Sequence, residues 1–277
     1  MNAYIKLLAF ALIPWSLFAQ ESGEVSVPLS SPGEIGTLEI DIKRGSIKVL
    51  GTNRSDVLIK YSTIEVEEDE HAHHEDEHAS EQKENTAGLK KISQPKFNLE
   101  ISENDNEVDI ESESWFTGID LTIEVPRDFN LDLENYTGKL IQVENVRGEI
   151  NLESYTGTID AKNVSGVVNA STYTGNITVS FNEVKKDQAM AFSNYTGKIE
   201  LTLPPDYAAN FNMKTVWGDI YSAFDMKINK SPSTLNKVDG ENFKLSTDEW
   251  TKASLNGGGP DVMIKNFSGG IYLRKKG

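Results

Sequence analysis

Between residues 135 and 178 the chain reads NYTGKLIQVENVRGEINLESYTGTIDAKNVSGVVNASTYTGNIT, and its glycines set the pace of everything around them. After each of three glycines, apolar residues recur at the second, fourth and seventh positions, with another glycine at the ninth. Gly148 leads to Ile150, Leu152, Tyr155 and Gly157; Gly157 to Ile159, Ala161, Val164 and Gly166; Gly166 to Val168, Ala170, Tyr173 and Gly175. Apolar residues two apart line one side of a strand, and glycine tolerates the positive φ of a sharp corner. Each nine-residue unit is therefore a short strand and a corner. The stretch from Gly138 to Gly148 is one residue longer, with Leu140 and Ile141 adjacent, as a bulge would require.

The corners alternate in kind. One is aromatic: Phe116, Tyr136, Tyr155, Tyr173 and Tyr195, each followed by Thr-Gly, and then Trp217 followed by glycine, at spacings of 20, 19, 18, 22 and 22. The other is plain, Val146-Arg147-Gly148 and Val164-Ser165-Gly166. Two strands in a period near 20 predict a β-solenoid with two short strands per coil of about 18 to 22 residues. Coils stacked about 4.8 Å apart would draw the six aromatics into one ladder roughly 24 Å long. No proline occurs from Arg127 to Leu203, which suits uninterrupted strand pairing. An antiparallel β-sandwich or meander is the alternative, since regular turn signals also suit it. Against that alternative, the aromatic recurs on the two-strand period.

Segments 36–51, 56–66, FNLEIS and NEVDIESES read as further strands, so helix content should be very low. The segment SLNGGGPDVMIKNFSGGIYLRKK again sets glycine before alternating apolars and is expected as the last coil.

Residues 1–19 carry Lys6 and then an uncharged run from Leu7 to Phe18, a signal-peptide layout with cleavage expected after Ala19. That run is too short to span a bilayer, which needs about 20 residues, so an exported mature chain with no transmembrane segment is expected. Residues 20–35 read as a linker and 36–277 as the solenoid, with an acidic insertion over 67–95. There is no cysteine, hence no disulfide framework and no acylated cysteine anchor. The net charge is −16, with ten acids against one base between Glu65 and Asn85. Neither that segment nor the remainder offers the basic stripe that nucleic acid demands.

The stretches IEVPRDFNLDLENYTGKL…, IELTLPPDYAANFNMKTVWGDIYSAF and LNGGGPDVMIKNFSGGIYL, covering roughly residues 36 to 275, resemble the bacterial putative-adhesin domain of unknown function. That family is similar to the head domains of auto-transporter adhesins. The resemblance implies a right-handed single-stranded β-helix on an exported bacterial protein, with no catalytic residue to carry over. The acidic, histidine-rich insertion and the Tyr-Thr-Gly corners depart from the family's usual pattern.

Two groups of residues invite chemistry. All four histidines, His71, His73, His74 and His78, lie in the acidic insertion, and imidazole with carboxylate suits Zn, Ni or Cu. Equally, the insertion reads as a solvated loop spread by its own charge, in which any metal is adventitious and no cofactor is implied. The aromatic corners could form a recognition surface for a glycan or protein ligand of the envelope, or could simply fill the edge of each coil. Triad chemistry lacks its parts, with no Cys and no Gly-x-Ser-x-Gly elbow. A carboxylate pair drawn from Asp120, Asp160 or Glu200 is conceivable, though acids alternating with apolars also describe a solvated strand. The expectation is a non-enzymatic scaffold or binding protein in the periplasm, on the cell surface or outside the cell. The alternatives are a metal-buffering envelope protein and, third, a polysaccharide-cleaving enzyme.

Overall fold

The computed structural model describes residues 21–65, 98–229, 234–237, 243–246 and 250–277. The expected signal peptide and the whole of the acidic insertion expected over 67–95, with its four histidines, lie outside the described residues. Among the described residues the fold is all-β, without a helix. Accordingly, no helix there is long and apolar enough to cross a membrane. Among the described residues eighteen strands make one open mixed sheet, and two more pair antiparallel with each other apart from it.

The body is built from parallel pairings. Strand β8 (Phe129–Glu144) pairs with β9 (Arg147–Thr174) in parallel, Leu131 opposite Ile150 and Ile141 opposite Ile159. Both strands run unbroken through a corner, and the pairing shifts register between Thr137 and Leu140, where the adjacent apolar residues predicted a bulge. Strand β9 continues onto β10 (Ile177–Val184) and β11 (Met190–Thr196), again in parallel, with Ile159 opposite Ile177 and Ala170 opposite Phe192. Strand β12 (Ile199–Leu203) lies on β10, Ile177 opposite Ile199. Two lines of pairing thus run side by side, one before each aromatic corner and one after it.

Chain order and stacking order differ at two places. The pass formed by β6 (Glu107–Ser112) and β7 (Thr117–Pro126) precedes β8 in sequence but does not lie on it. The earlier pass, β2 (Gly36–Arg44) and β3 (Ile47–Thr52), stands between them: Leu38 faces Val108 on one side and Leu131 on the other, and Ile47 faces Leu121 and Ile141. At the far end β19 (Asp261–Ser268) and β20 (Ile271–Lys275) sit between β11–β12 and the pass β13 (Ala209–Trp217) with β14 (Ile220–Ser222). The expected last coil is therefore an interior one. Both inserted passes alternate buried and exposed residues along their length, and such a pass buries its backbone best with a partner on each edge.

Antiparallel strands flank this body. Strand β1 (Ser22–Pro28), in the segment expected to be a linker, pairs with β4 (Asp56–Glu65), which pairs with β7. Strand β5 (Glu100–Asn104) pairs with β6 across Asp105 and Asn106, both at positive φ (53° and 65°), the geometry of a two-residue hairpin turn. At the other end β18 (Thr251–Leu255) runs antiparallel to β13 and to β15 (Lys227–Asn229). The inward side chains of both lines form one continuous core, with Phe129, Phe181, Phe192 and Phe211 the largest of its fully buried members.

Candidate binding surface

The aromatic corners owe their position to the residue before them. Leu131, Leu133 and Asn135 continue one inward alternation, so Tyr136 points out. The same parity buries Ser154, Thr172, Asn194 and Asn266. A buried polar group here needs a partner, and the glycine carbonyl of the neighbouring pass supplies it. Asn135 Nδ2 donates to Gly45 O at 3.1 Å, Asn194 Nδ2 to Gly175 O at 2.8 Å and Asn266 Nδ2 to Gly197 O at 2.9 Å. Thr172 Oγ1 donates to Gly157 O at 3.1 Å, while Ser154 Oγ donates to Asn135 Oδ1 at 2.6 Å. A column of buried Asn, Ser and Thr thus underlies the visible column of rings. Asn135, although part of a glycosylation sequon, is 1% exposed and unavailable to a transferase in the folded chain.

Outside, the rings stack. Tyr136 and Tyr155 have centroids 4.8 Å apart with planes 3° from parallel. Tyr155 and Tyr173 follow at 5.0 Å and 3°, Tyr173 and Tyr195 at 4.6 Å and 5°, and Tyr195 and Phe267 at 4.5 Å and 2°. Trp115 closes one end edge-on to Tyr136, at 4.9 Å and 77°. Each tyrosine remains 42–45% exposed. Because consecutive faces cover one another, no sugar ring fits between them, and the stack offers ring edges and hydroxyls along its length.

Membership of the ladder differs from the sequence expectation at both ends. Phe116 is 88% exposed and stands apart from the stack, its place at the end taken by Trp115. Trp217 is 70% exposed and one residue out of step: Thr215 pairs with Asn266 and Trp217 with Ser268, which sets Val216 opposite Phe267. Phe267 joins because its pass lies directly on that of Tyr195, with Asn194 opposite Asn266. The signal was present in Asn266-Phe267-Ser268-Gly269, a variant of Asn-Tyr-Thr-Gly, but its remoteness along the chain concealed it.

Beside the rings runs a groove of about 500 Å³ whose floor includes Glu134, Glu153, Ser171, Ser193 and Lys265. Buried Asn194 also lines it, its Oδ1 having no hydrogen-bond partner. Charge is graded along it. At one end the Glu134 carboxyl is raised above its ordinary range by burial and then by the like charges of Asp41 and Glu153. Farther in that direction Glu39 is raised by burial and by Asp109 and Asp132, and oxygens of Glu39, Glu107 and Asp109 fall within 4.8 Å of one another. Hard oxygen donors of this kind suit Ca²⁺ or Mg²⁺ rather than Zn.

The three acids considered for catalysis each have a partner nearby, although the second carboxylate oxygen of Asp160, Oδ1, is buried without one. Asp120 Oδ1 accepts from Ser46 N at 2.9 Å, Asp160 pairs with Lys162 at 2.6 Å, and Glu200 pairs with Arg274 at 3.0 Å. Arg274 and Lys198 together lower the Glu200 carboxyl. Asp160 and Glu200 are separated by the Thr178 pass, hence by two strand spacings or about 9.6 Å.

No family model matches the chain, and no curated protein matches it. Among solved structures it is similar to a putative cell adhesion protein from Clostridium sporogenes, at 11% identity and a TM-score of 0.48, covering 93% of this chain and 100% of that one. It is similar also to a putative adhesin from Bacteroides fragilis, at 11% identity and a TM-score of 0.27, covering 93% of this chain and 98% of that one.

Proposed function

We propose that this chain is an exported, non-enzymatic scaffold of the bacterial cell envelope, a right-handed β-helix that binds a glycan or protein ligand on the face carrying Tyr136, Tyr155, Tyr173 and Tyr195. The observation that carries this reading is the stack itself: five rings in one exposed row beside a groove. Large aromatic groups cost apolar exposure unless something covers them, and a contiguous exposed row is characteristic of interaction sites. Tyrosine edges with hydroxyls pair an apolar surface with hydrogen bonding at low entropic cost.

The test has two arms. Protease treatment of intact cells together with fractionation should find the protein in the envelope and cleave it at the surface; a protein untouched by protease and free in the periplasm overturns surface display. Binding of the purified protein to envelope glycans should fall about tenfold or more in a Tyr155→Ala/Tyr173→Ala variant, and unchanged binding removes the tyrosine row from the site.

A second reading, metal capture by His71, His73, His74 and His78, rests on the concentration of every histidine in one acidic segment. Calorimetry with Zn²⁺ and Ni²⁺ should then show stoichiometric binding that disappears when residues 65–85 are deleted.

A further inference from the structure

The groove beside the tyrosine stack has an order of charge that the ladder does not explain. Successive passes place one residue each in the column next to the rings. Asp41 faces Glu134, Glu134 faces Glu153, Ser171 faces Ser193, Ser193 faces Lys265, and Lys265 faces Lys214. The Tyr155–Tyr173 stack joins the second of these pairs to the third. Read along the stack, the column is acidic, then neutral, then basic. Its middle is Ser171, beside Tyr173: Glu134 lies two passes to one side and Lys265 two passes to the other, while one pass out Glu153 is matched by neutral Ser193, and Asp41 beyond Glu134 is already paired with Lys43. Glu134, Glu153 and Lys265 are exposed and form no ion pair among the described residues.

We propose that this face is a dimerisation surface whose occupant is a second copy of the chain, related by a two-fold axis that lies in the interface along the strand direction of the Ser171–Tyr173 pass. Such an axis reverses the order of passes, so Glu134 of each copy meets Lys265 of the other, Tyr136 meets Phe267, and Tyr173 meets its own symmetry mate. An isologous interface requires this reciprocity, residue i against j and j against i. The other face-to-face two-fold, along the stack, would set Glu134 on Glu134 and Lys265 on Lys265, and like charges brought together in this way are strongly unfavourable. Charge order therefore selects one orientation. Burial first, and then the neighbouring acids Asp41 and Glu153, hold the Glu134 carboxyl above its usual range, against the opposing charge of Lys43. A strip of five rings, about 19 Å from first centroid to last, belongs among small, transient interfaces, so a dissociation constant of about 1–100 μM is expected.

This inference rests on reading the tyrosine row as a binding surface and names its first partner. Sedimentation equilibrium on the purified protein, at low and high salt, should show a reversible dimer that weakens with salt. Glu134→Lys alone sets Lys against Lys, and Lys265→Glu alone sets Glu against Glu. Each should weaken the dimer about tenfold or more, while the double variant Glu134→Lys/Lys265→Glu should recover to within about threefold of the parent by restoring the pair. Both positions are exposed on strands, so the variants keep the fold, which circular dichroism checks. Because the chain has no cysteine, Ser171→Cys adds an orientation test: a short bismaleimide should link two copies through the axis, whereas Lys48→Cys on the other line of strands should not link. A monomer at 100 μM and low salt, or a dimer whose double variant stays weak, overturns the proposal. A monomeric protein that still binds glycan through the tyrosines overturns the dimer and leaves the binding surface standing.

Discussion

Individual residues divide here into those that hold the passes together and those that face outward from them. Gly197 belongs to the first kind: its φ is +132°, and a Cβ added there would lie 1.9 Å from the Gly175 carbonyl oxygen of the adjacent pass. No side chain fits without moving backbone, so Gly197→Ala should lower stability by about 2–4 kcal/mol, read as a fall in the urea midpoint with unchanged m. Asn194 is of the same kind, since its amide satisfies the Gly175 carbonyl from inside. Tyr173, half-exposed and stacked on two neighbours, is of the other kind. Asn194→Ala should therefore cost about 1–3 kcal/mol and Tyr173→Ala about 1 kcal/mol, compared by chemical denaturation of the two variants. Equal losses would mean that the ring, as much as the amide beneath it, is scaffold.

At the scale of strands, stability depends on which pass lies on which. Glu200 of β12 and Arg274 of β20 bridge passes that are remote in sequence. The lowered Glu200 carboxyl means that its contribution to stability is present above the ordinary carboxylate range, near 4.3, and fades as pH falls through the lower folded value. Glu200→Gln should thus reduce stability by about 0.5 kcal/mol at pH 7, the magnitude of an ion pair whose cationic partner is solvent-screened. The difference should disappear in acid, as melting temperatures of both proteins across pH would record. A larger effect attends the pass itself. Removing residues 261–277 takes β19 and β20 from between β11–β12 and β13–β14. Hydrogen exchange on the truncated chain should lose protection over 214–222 as well, the part of that pass which β18 does not pair, whereas a stack in simple chain order would lose only its end.

For the molecule as a whole, much was legible in the sequence because strand parity and glycine corners are local. Ile150, Leu152, Ile159 and Val168 fall inward as their spacing demands, and the aromatic corners of Tyr136, Tyr155, Tyr173 and Tyr195 come together because their passes are consecutive both in chain and in space. What the period could not reveal is which strand edge each pass would meet. Any pass with the same parity and corner can pair with any other, so the order is decided by which arrangement leaves fewest edges and apolar faces open. Hence β2–β3 and β19–β20 enter the stack from far along the chain, Phe267 replaces Trp217 beside Tyr195, and Trp115 rather than Phe116 ends the row. The groove's charge order arises in the same way, since Lys265 reaches Ser193 only through that non-sequential pairing. By itself, then, the sequence determined the all-β character, the inward and outward parity of each strand and the corners, through short-range sterics and burial. Tertiary structure alone decided the neighbours, and with them the surface on which recognition would occur, because pairing between remote strands is settled by the global saturation of hydrogen bonds and core contacts rather than by any local pattern.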